Sequence, residues 1–200
     1  MSEKRKFPAD AAIKVAKELV DELRPFTVET PEAMKPHWPH SHLFAVAGSL
    51  RRRKPVVGDI ELLFVPKTEK RNQDFFEEKE FDLFWERLTQ MIDAGRLARR
   101  LNVAGVATWG PLNKHGIHVA SGIPVDFFAT TVENFFVSLV IRTGSKETNL
   151  KLTTGANAQM ATLNAYGSGV TWADGTSTAA ISEQHVFEMC RVPYLDPWKR

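Results

Sequence analysis

The sequence predicts an α+β fold, a mixed β-sheet backed by helices with a small C-terminal lobe of helices and strands, from three features of its patterning. Short β-rich runs at Leu43 to Ala47, Ile60 to Val65, Ile117 to Ala120 and Ile123 to Ala129 are bounded by Gly, Pro and Ser turns. Two long stretches carry apolar residues at helical spacing instead. The strands fall in the middle of the chain and helices dominate its last third, which divides the 200 residues into an N-terminal helix with a Pro-rich loop (1–41), a sheet unit (42–131) and a closing lobe (132–200).

In chain order, Ala12, Ile13, Ala16, Leu19, Val20 and Leu23 recur on a helix from Ala9 to Arg24, which Pro25 ends. Pro25, Pro31, Pro36 and Pro39 then make an extended surface loop. After the strand at Leu43 to Ala47, Gly48-Ser49 opens a turn or short helix through Arg53. Pro55 forces extension into the strand at Ile60 to Val65. Phe76, Phe81, Phe84, Trp85, Leu88, Met91 and Ile92 predict the longest helix, over Phe75 to Asp93. Val103 to Thr108, Ile117 to Ala120 and Ile123 to Ala129 read as a meander of three strands. A helix from Val132 to Arg142, a break at Gly144-Ser145, a helix from Lys146 to Met160, a Gly-rich segment over 166–175 and a helix from Glu183 to Arg191 complete the chain.

Composition excludes several classes. Hydrophobic residues make up 43% and charged residues 25%, so neither disorder nor a collagen-like architecture fits. Lys and Arg number 26 against 24 Asp and Glu, leaving a net charge of +2, so nucleic-acid binding must come from local clusters. A lone cysteine, Cys190, reads as a buried, inert thiol. No run approaches the ~18 apolar residues of a membrane span, and the basic N-terminus lacks a signal-peptide core, so a cytoplasmic protein is expected, nucleoid-associated if DNA is its substrate.

The chemistry concentrates between Val46 and Val65. Asp59 and Glu61 stand two apart on a strand, so both carboxylates face one way while Ile60 and Leu62 face the core. Like charges held together repel unless a cation lies between them, and Mg²⁺ takes one or two carboxylates together with phosphate oxygens and water. Gly48-Ser49 offers backbone N–H groups to an anion, with Arg51, Arg52, Arg53 and Lys54 beside it. Taken singly, each half also reads as a solvated turn or a pair of edge acids; the conjunction at this spacing narrows the choice.

Gly48-Ser49, nine residues, then Asp59-Ile60-Glu61-Leu62 resembles the signature of the nucleotidyltransferase superfamily, and Gly-Ser-Leu-Arg-Arg-Arg…Gly-Asp-Ile-Glu is more narrowly similar to the palm of family X DNA polymerases. Val125-Asp126-Phe127-Phe128-Ala129 resembles the strand that bears that family's third carboxylate. Arg142-Thr143-Gly144-Ser145-Lys146-Glu147-Thr148-Asn149 resembles its Thr-Gly-Ser-x-x-x-Asn motif. Weaker echoes at Asn164-Ala165-Tyr166-Gly167 and Val192-Pro193-Tyr194-Leu195 extend the likeness over roughly residues 43–200.

The resemblance implies a nucleotidyltransferase palm over 42–131 and a nucleotide-closing lobe over 132–200. It implies two Mg²⁺ ions, with Mn²⁺ as a substitute, held by Asp59, Glu61 and Asp126, the last nearest the attacking primer 3′ oxygen. It places Gly48, Ser49, Arg52 and Gly58 on the triphosphate, and Ile141, Arg142, Thr143, Gly144 and Asn149 around the sugar and base. The implied partners are a nucleoside triphosphate and a DNA primer/template or gapped DNA, the activity being gap filling or short primer extension in DNA repair. The alternative acceptor is an RNA end, a protein or a small molecule, with or without a template. Ile141-Arg142 stands where many family members carry two aromatics against the sugar 2′ position, so weak discrimination against ribonucleotides is expected.

His37, His40 and His42 read more readily as surface-loop histidines than as a metal cluster. Lys114, His115 and His118 read as a solvated hairpin tip before a primer contact. Arg96, Arg99, Arg100 and Lys4 to Lys6 read as solvated faces, and the five tryptophans as packing.

Overall fold

The computed structural model describes residues 5–74, 77–102 and 104–200. The chain begins with a short strand β1 (Phe7–Pro8) and helix α1 (Ala9–Leu23), followed by β2 (Phe44–Val46), the single turn α2 (Gly48–Arg51), β3 (Val56–Val57) and β4 (Ile60–Phe64). A hairpin of β5 (Thr68–Asp74) and β6 (Glu77–Asp82) leads to α3 (Leu83–Asp93), and then β7 (Leu97–Arg99), β8 (Asn113–His118) and β9 (Ile123–Ala129). The C-terminal lobe holds α4 (Phe135–Thr143), α5 (Lys146–Ala158), strands β10 (Ala161–Leu163), β11 (Val170–Trp172) and β12 (Ser177–Thr178), and α6 (Glu183–Met189).

The main sheet runs β2-β4-β9-β8-β7, with β4 and β9 parallel and the other neighbours antiparallel. Both faces of its centre are covered, so β4 and β9 are apolar along nearly their whole length, as strands buried on both sides must be. Ile60, Leu62, Phe64, Val125 and Phe127 point to one face and pack with Leu19 and Leu23 of α1 and Phe84, Leu88 and Met91 of α3. Leu63 and Phe128 point to the other and pack with Phe135, Phe136, Leu139 and Val140 of α4 and Phe187 of α6. Glu61 and Asp126 alternate onto this second face, two residues before Leu63 and Phe128.

The expected α+β architecture is present, and several local expectations are corrected. Ile13 is 55% exposed rather than part of the buried stripe of α1. The predicted helix at Phe75 to Asp93 is in its first part a strand, with Phe75 and Phe76 outside the described residues. Glu78 and Glu80, which fall within that expected helix, pair across the hairpin, Thr68 donating to Glu80 at 2.7 Å and Lys70 lying 3.7 Å from Glu78. Asp82 then starts α3 by accepting the Trp85 N–H at 2.8 Å. This makes α1, with 15 residues, longer than α3, with 11.

The expected strand at Val103 to Thr108 is a turn, Val103 lying outside the described residues. The side chain of Asn102 accepts from the N–H groups of Ala104 (2.9 Å) and Val106 (3.0 Å), and Gly105 takes φ +72°. The outer strand is β7, and β8 begins at Asn113 rather than Ile117. The Gly-rich segment 166–175 lies within a three-stranded antiparallel sheet, β10-β11-β12. No helix among the described residues is long and apolar enough to cross a membrane.

Candidate active site

Glu61 on β4 and Asp126 on β9 are register partners in the parallel pair. Their backbones therefore run about 4.8 Å apart with both side chains on one face. Asp59 sits one residue before β4, behind the buried Gly58, on the same side of the alternation. All three expected carboxylates thus lie on one side of the β4–β9 pair. Their proximity is felt at Glu61, whose carboxyl is pushed up to about 7, first by burial, then by the charges of Asp59 and Asp126, with partial relief from Arg142 and Arg52.

The turn at Gly48 closes over this group. Gly48 takes φ +62°, a conformation that favours glycine, and a Cβ there would lie 2.6 Å from Glu61 Oε1, so the turn rests directly on the carboxylate. Ala47 N–H donates to the Glu61 carbonyl at 2.8 Å, fixing the turn to β4. Ser49 follows in α2, half-buried.

The arginines after the turn are engaged by the C-terminal lobe. Arg51 donates to Thr143 Oγ1 at 2.8 Å and pairs with Glu183. Arg52 donates to the carbonyls of Thr143 and Gly144. Arg53 lies 4.4 Å over the Trp198 ring. The Thr143-Gly-Ser…Asn149 segment is thus the joint between sheet and lobe. Asn149 Nδ2 donates to the Ile141 carbonyl at 2.8 Å, its Oδ1 lies where any side chain at Gly144 would stand, and Ser145 caps α5 by accepting the Thr148 N–H at 3.2 Å. Arg52 Nε and Asn149 Oδ1 are both buried without a hydrogen-bond partner among the described residues.

Residues 138–200 match the family model of the DNA polymerase beta thumb. That thumb-like lobe begins within α4 and includes the joint just described, and the match supports a relationship to polymerase beta-like proteins. A search of curated proteins gave no match.

From the thumb-like lobe, Arg142 stacks on Phe128 of the sheet with its guanidinium 3.7 Å from the ring centre and donates to Tyr166 Oη, which in turn donates to Asn113 Oδ1 at 2.7 Å. Tyr166 therefore brings an aromatic ring beside Arg142, although Ile141-Arg142 itself supplies none. Asp126 Oδ1 receives Arg100 Nη2 at 2.6 Å and lies 2.8 Å from His115 Nδ1. These contacts escaped the sequence reading: Arg100 carries no motif, and His115 faces Asp126 only once the register of β8 on β9 is known.

Lys114 is not at a solvated tip. It is 1% exposed, over the Trp85 ring at 4.2 Å, and burial pulls its amine down to about 8. Arg96 is tied to Glu22 and Glu18 of α1. His40 packs edge-on against Trp38, and His42 contacts Ser41.

The donor set at Asp59, Glu61 and Asp126 fits a hard divalent cation in its chemistry, and the part of the upward push on Glu61 that follows burial, from Asp59 and Asp126, is the repulsion such a cation relieves. Among the described residues, no three His, Cys, Asp or Glu side chains already converge to hold a metal, and Asp126 is engaged by Arg100 and His115.

Proposed function

We propose that this protein transfers a nucleoside monophosphate from a nucleoside triphosphate to the 3′-hydroxyl of DNA, releasing pyrophosphate, at short gaps or primer ends. The observation that carries this reading is the pairing of Glu61 with Asp126 across β4 and β9 under the Gly48 turn, next to a lobe that matches a polymerase thumb.

Asp59, Glu61 and Asp126 would hold the Mg²⁺ ions, Asp126 standing nearest the primer 3′ oxygen. Bound divalent cations supply charge to the attacking and leaving oxygens of an in-line displacement. The residues of the chain do the rest by position. The Gly48-Ser49 backbone, together with Gly58, would face the triphosphate. Arg52, pinned on the 143 and 144 carbonyls, adds a fixed positive field from the side of the joint. Ile141, Arg142, Thr143, Gly144 and Asn149 border the sugar and base, so that a nucleotide bound there touches sheet and lobe together. Such preorganised charge costs no reorganisation during the reaction, and one lost donor reduces turnover by about 10² to 10³.

The deciding experiment incubates the protein with Mg²⁺, labelled ribo- and deoxynucleoside triphosphates, and gapped DNA, primed DNA, RNA, protein and small-molecule acceptors. Label on DNA 3′ ends, lost with a chelator and in Asp59→Ala, is the expected result. Label on another acceptor keeps the chemistry and replaces the DNA; label on none removes the proposal.

A further inference from the structure

Asp126 is 7% exposed, and one of its oxygens faces two donors. His115 lies opposite it in the antiparallel β8–β9 pair, which puts both side chains on one face. Arg100 follows the end of β7, where its N–H donates to the His115 carbonyl at 2.8 Å. From there Arg100 Nη2 reaches Oδ1 at 2.6 Å, and His115 Nδ1 lies 2.8 Å from the same atom. Arg100 Nη2 and His115 Nδ1 are 3.1 Å apart. A guanidinium has only donors, so both groups serve Oδ1 when Nδ1 carries the imidazole proton.

We propose that Arg100 is a positioning residue for the metal site: it fixes Asp126 by Oδ1 and supplies the positive charge that a divalent cation must share or displace. This rests on the reading of Asp59, Glu61 and Asp126 as metal-holding residues. A carboxylate or carbonyl behind a metal ligand raises the ligand's basicity, whereas a cation behind it lowers it. Removing Arg100 should therefore strengthen metal binding and weaken catalysis, opposite movements that mere loss of structure does not produce.

The test titrates the full chain with Mn²⁺ alone, followed by electron paramagnetic resonance, in wild type, Arg100→Met, Arg100→Lys, Asp126→Asn and the Arg100→Met/Asp126→Asn double variant. Arg100→Met should bind Mn²⁺ about tenfold more tightly, with kcat about tenfold lower and the nucleotide KM little changed. Arg100→Lys should stay within about threefold of wild type in Mn²⁺ affinity. The tightening should vanish in the Asp126→Asn background. Unchanged or weaker Mn²⁺ binding in Arg100→Met, tightening that survives Asp126→Asn, or no Mn²⁺ binding in any variant overturns the proposal. Arg100→Gln, which keeps a donor but not the charge, replaces Arg100→Met if circular dichroism shows the latter unfolded. Failure of wild type to transfer nucleotide would remove the DNA-synthesis reading alone, since the Mn²⁺ comparison decides the role of Arg100 without it.

Discussion

At Gly48 a single hydrogen in place of a side chain lets the turn rest on Glu61. A Cβ would press on a carboxylate at the end of a flexible chain, so in Gly48→Ala the Glu61 side chain yields before the backbone does. The left-handed φ should cost about 1–2 kcal/mol of stability, read by urea unfolding, while transfer falls far more; an active Gly48→Ala would show that Glu61 is not required where it stands. Glu61 also imposes a pH dependence. Its folded value of about 7 lies above the unfolded value of 4.5. The stability it contributes is thus fully present below the unfolded value and is lost as pH rises through 7. The loss is about 3 kcal/mol for the metal-free protein. Relative to Glu61→Gln, wild type should lose stability between pH 5 and 8 in denaturant titrations, and parallel pH curves for the two would count against the buried-carboxylate reading. Asp59 and Glu61 were legible as a pair facing one way because their spacing is local, an Asp-x-Glu alternation on a strand and a Gly-Ser turn a fixed distance before it, whereas Asp126 came from the likeness of its strand to a family motif. Arg100 and His115 were not, because their meeting with Asp126 depends on where the chain returns.

Among the elements, α3 shows both what periodicity reveals and where it misleads. Phe84, Leu88 and Met91 form its buried stripe, as their spacing predicts, yet the same period read backwards ran through β6. Charged residues suit a helix face and a solvent-exposed hairpin equally well, and only the cap at Asp82 separates the two. Phe84 stacks on Phe64 at 3.6 Å between ring centres, so Phe84→Ala should cost about 3–5 kcal/mol in urea unfolding; a loss under 1 kcal/mol would mean α3 does not anchor the sheet. At the other end of the chain, Ser145 caps α5 within the joint. Ser145→Ala should cost about 1 kcal/mol in the same assay without touching the carboxylates, and it should weaken nucleotide affinity if the joint borders the sugar and base. The turn made by Asn102 with Ala104 and Val106 was missed for a different reason: Asn102 competes for backbone N–H groups that a strand would have paired.

Across the whole molecule, the boundary expected at 131–132 passes through a single apolar cluster, in which Leu63 and Phe128 of the sheet meet Phe135 and Phe136 of α4, and Trp38 of the N-terminal segment packs edge-on against both phenylalanines. Glu183 adds an ionic tie. Burial works to raise its carboxyl, but Arg51 and Arg200 outweigh it and hold it below the usual range. The Arg200 side chain is fully buried, so Glu183→Gln leaves a cation without its counter-charge; a loss of about 3–5 kcal/mol is expected by thermal or urea unfolding, and a near-neutral effect would show the tie to be dispensable. The same cluster encloses Cys190, fully buried, its thiol pushed up to about 11 by burial. Because it is the one cysteine of the chain, this sulfur is a built-in clock. A thiol-reactive dye cannot label it until that apolar cluster opens, so the labelling rate times the opening, and a bound nucleotide that stabilises the lobe should slow the dye in proportion to its occupancy.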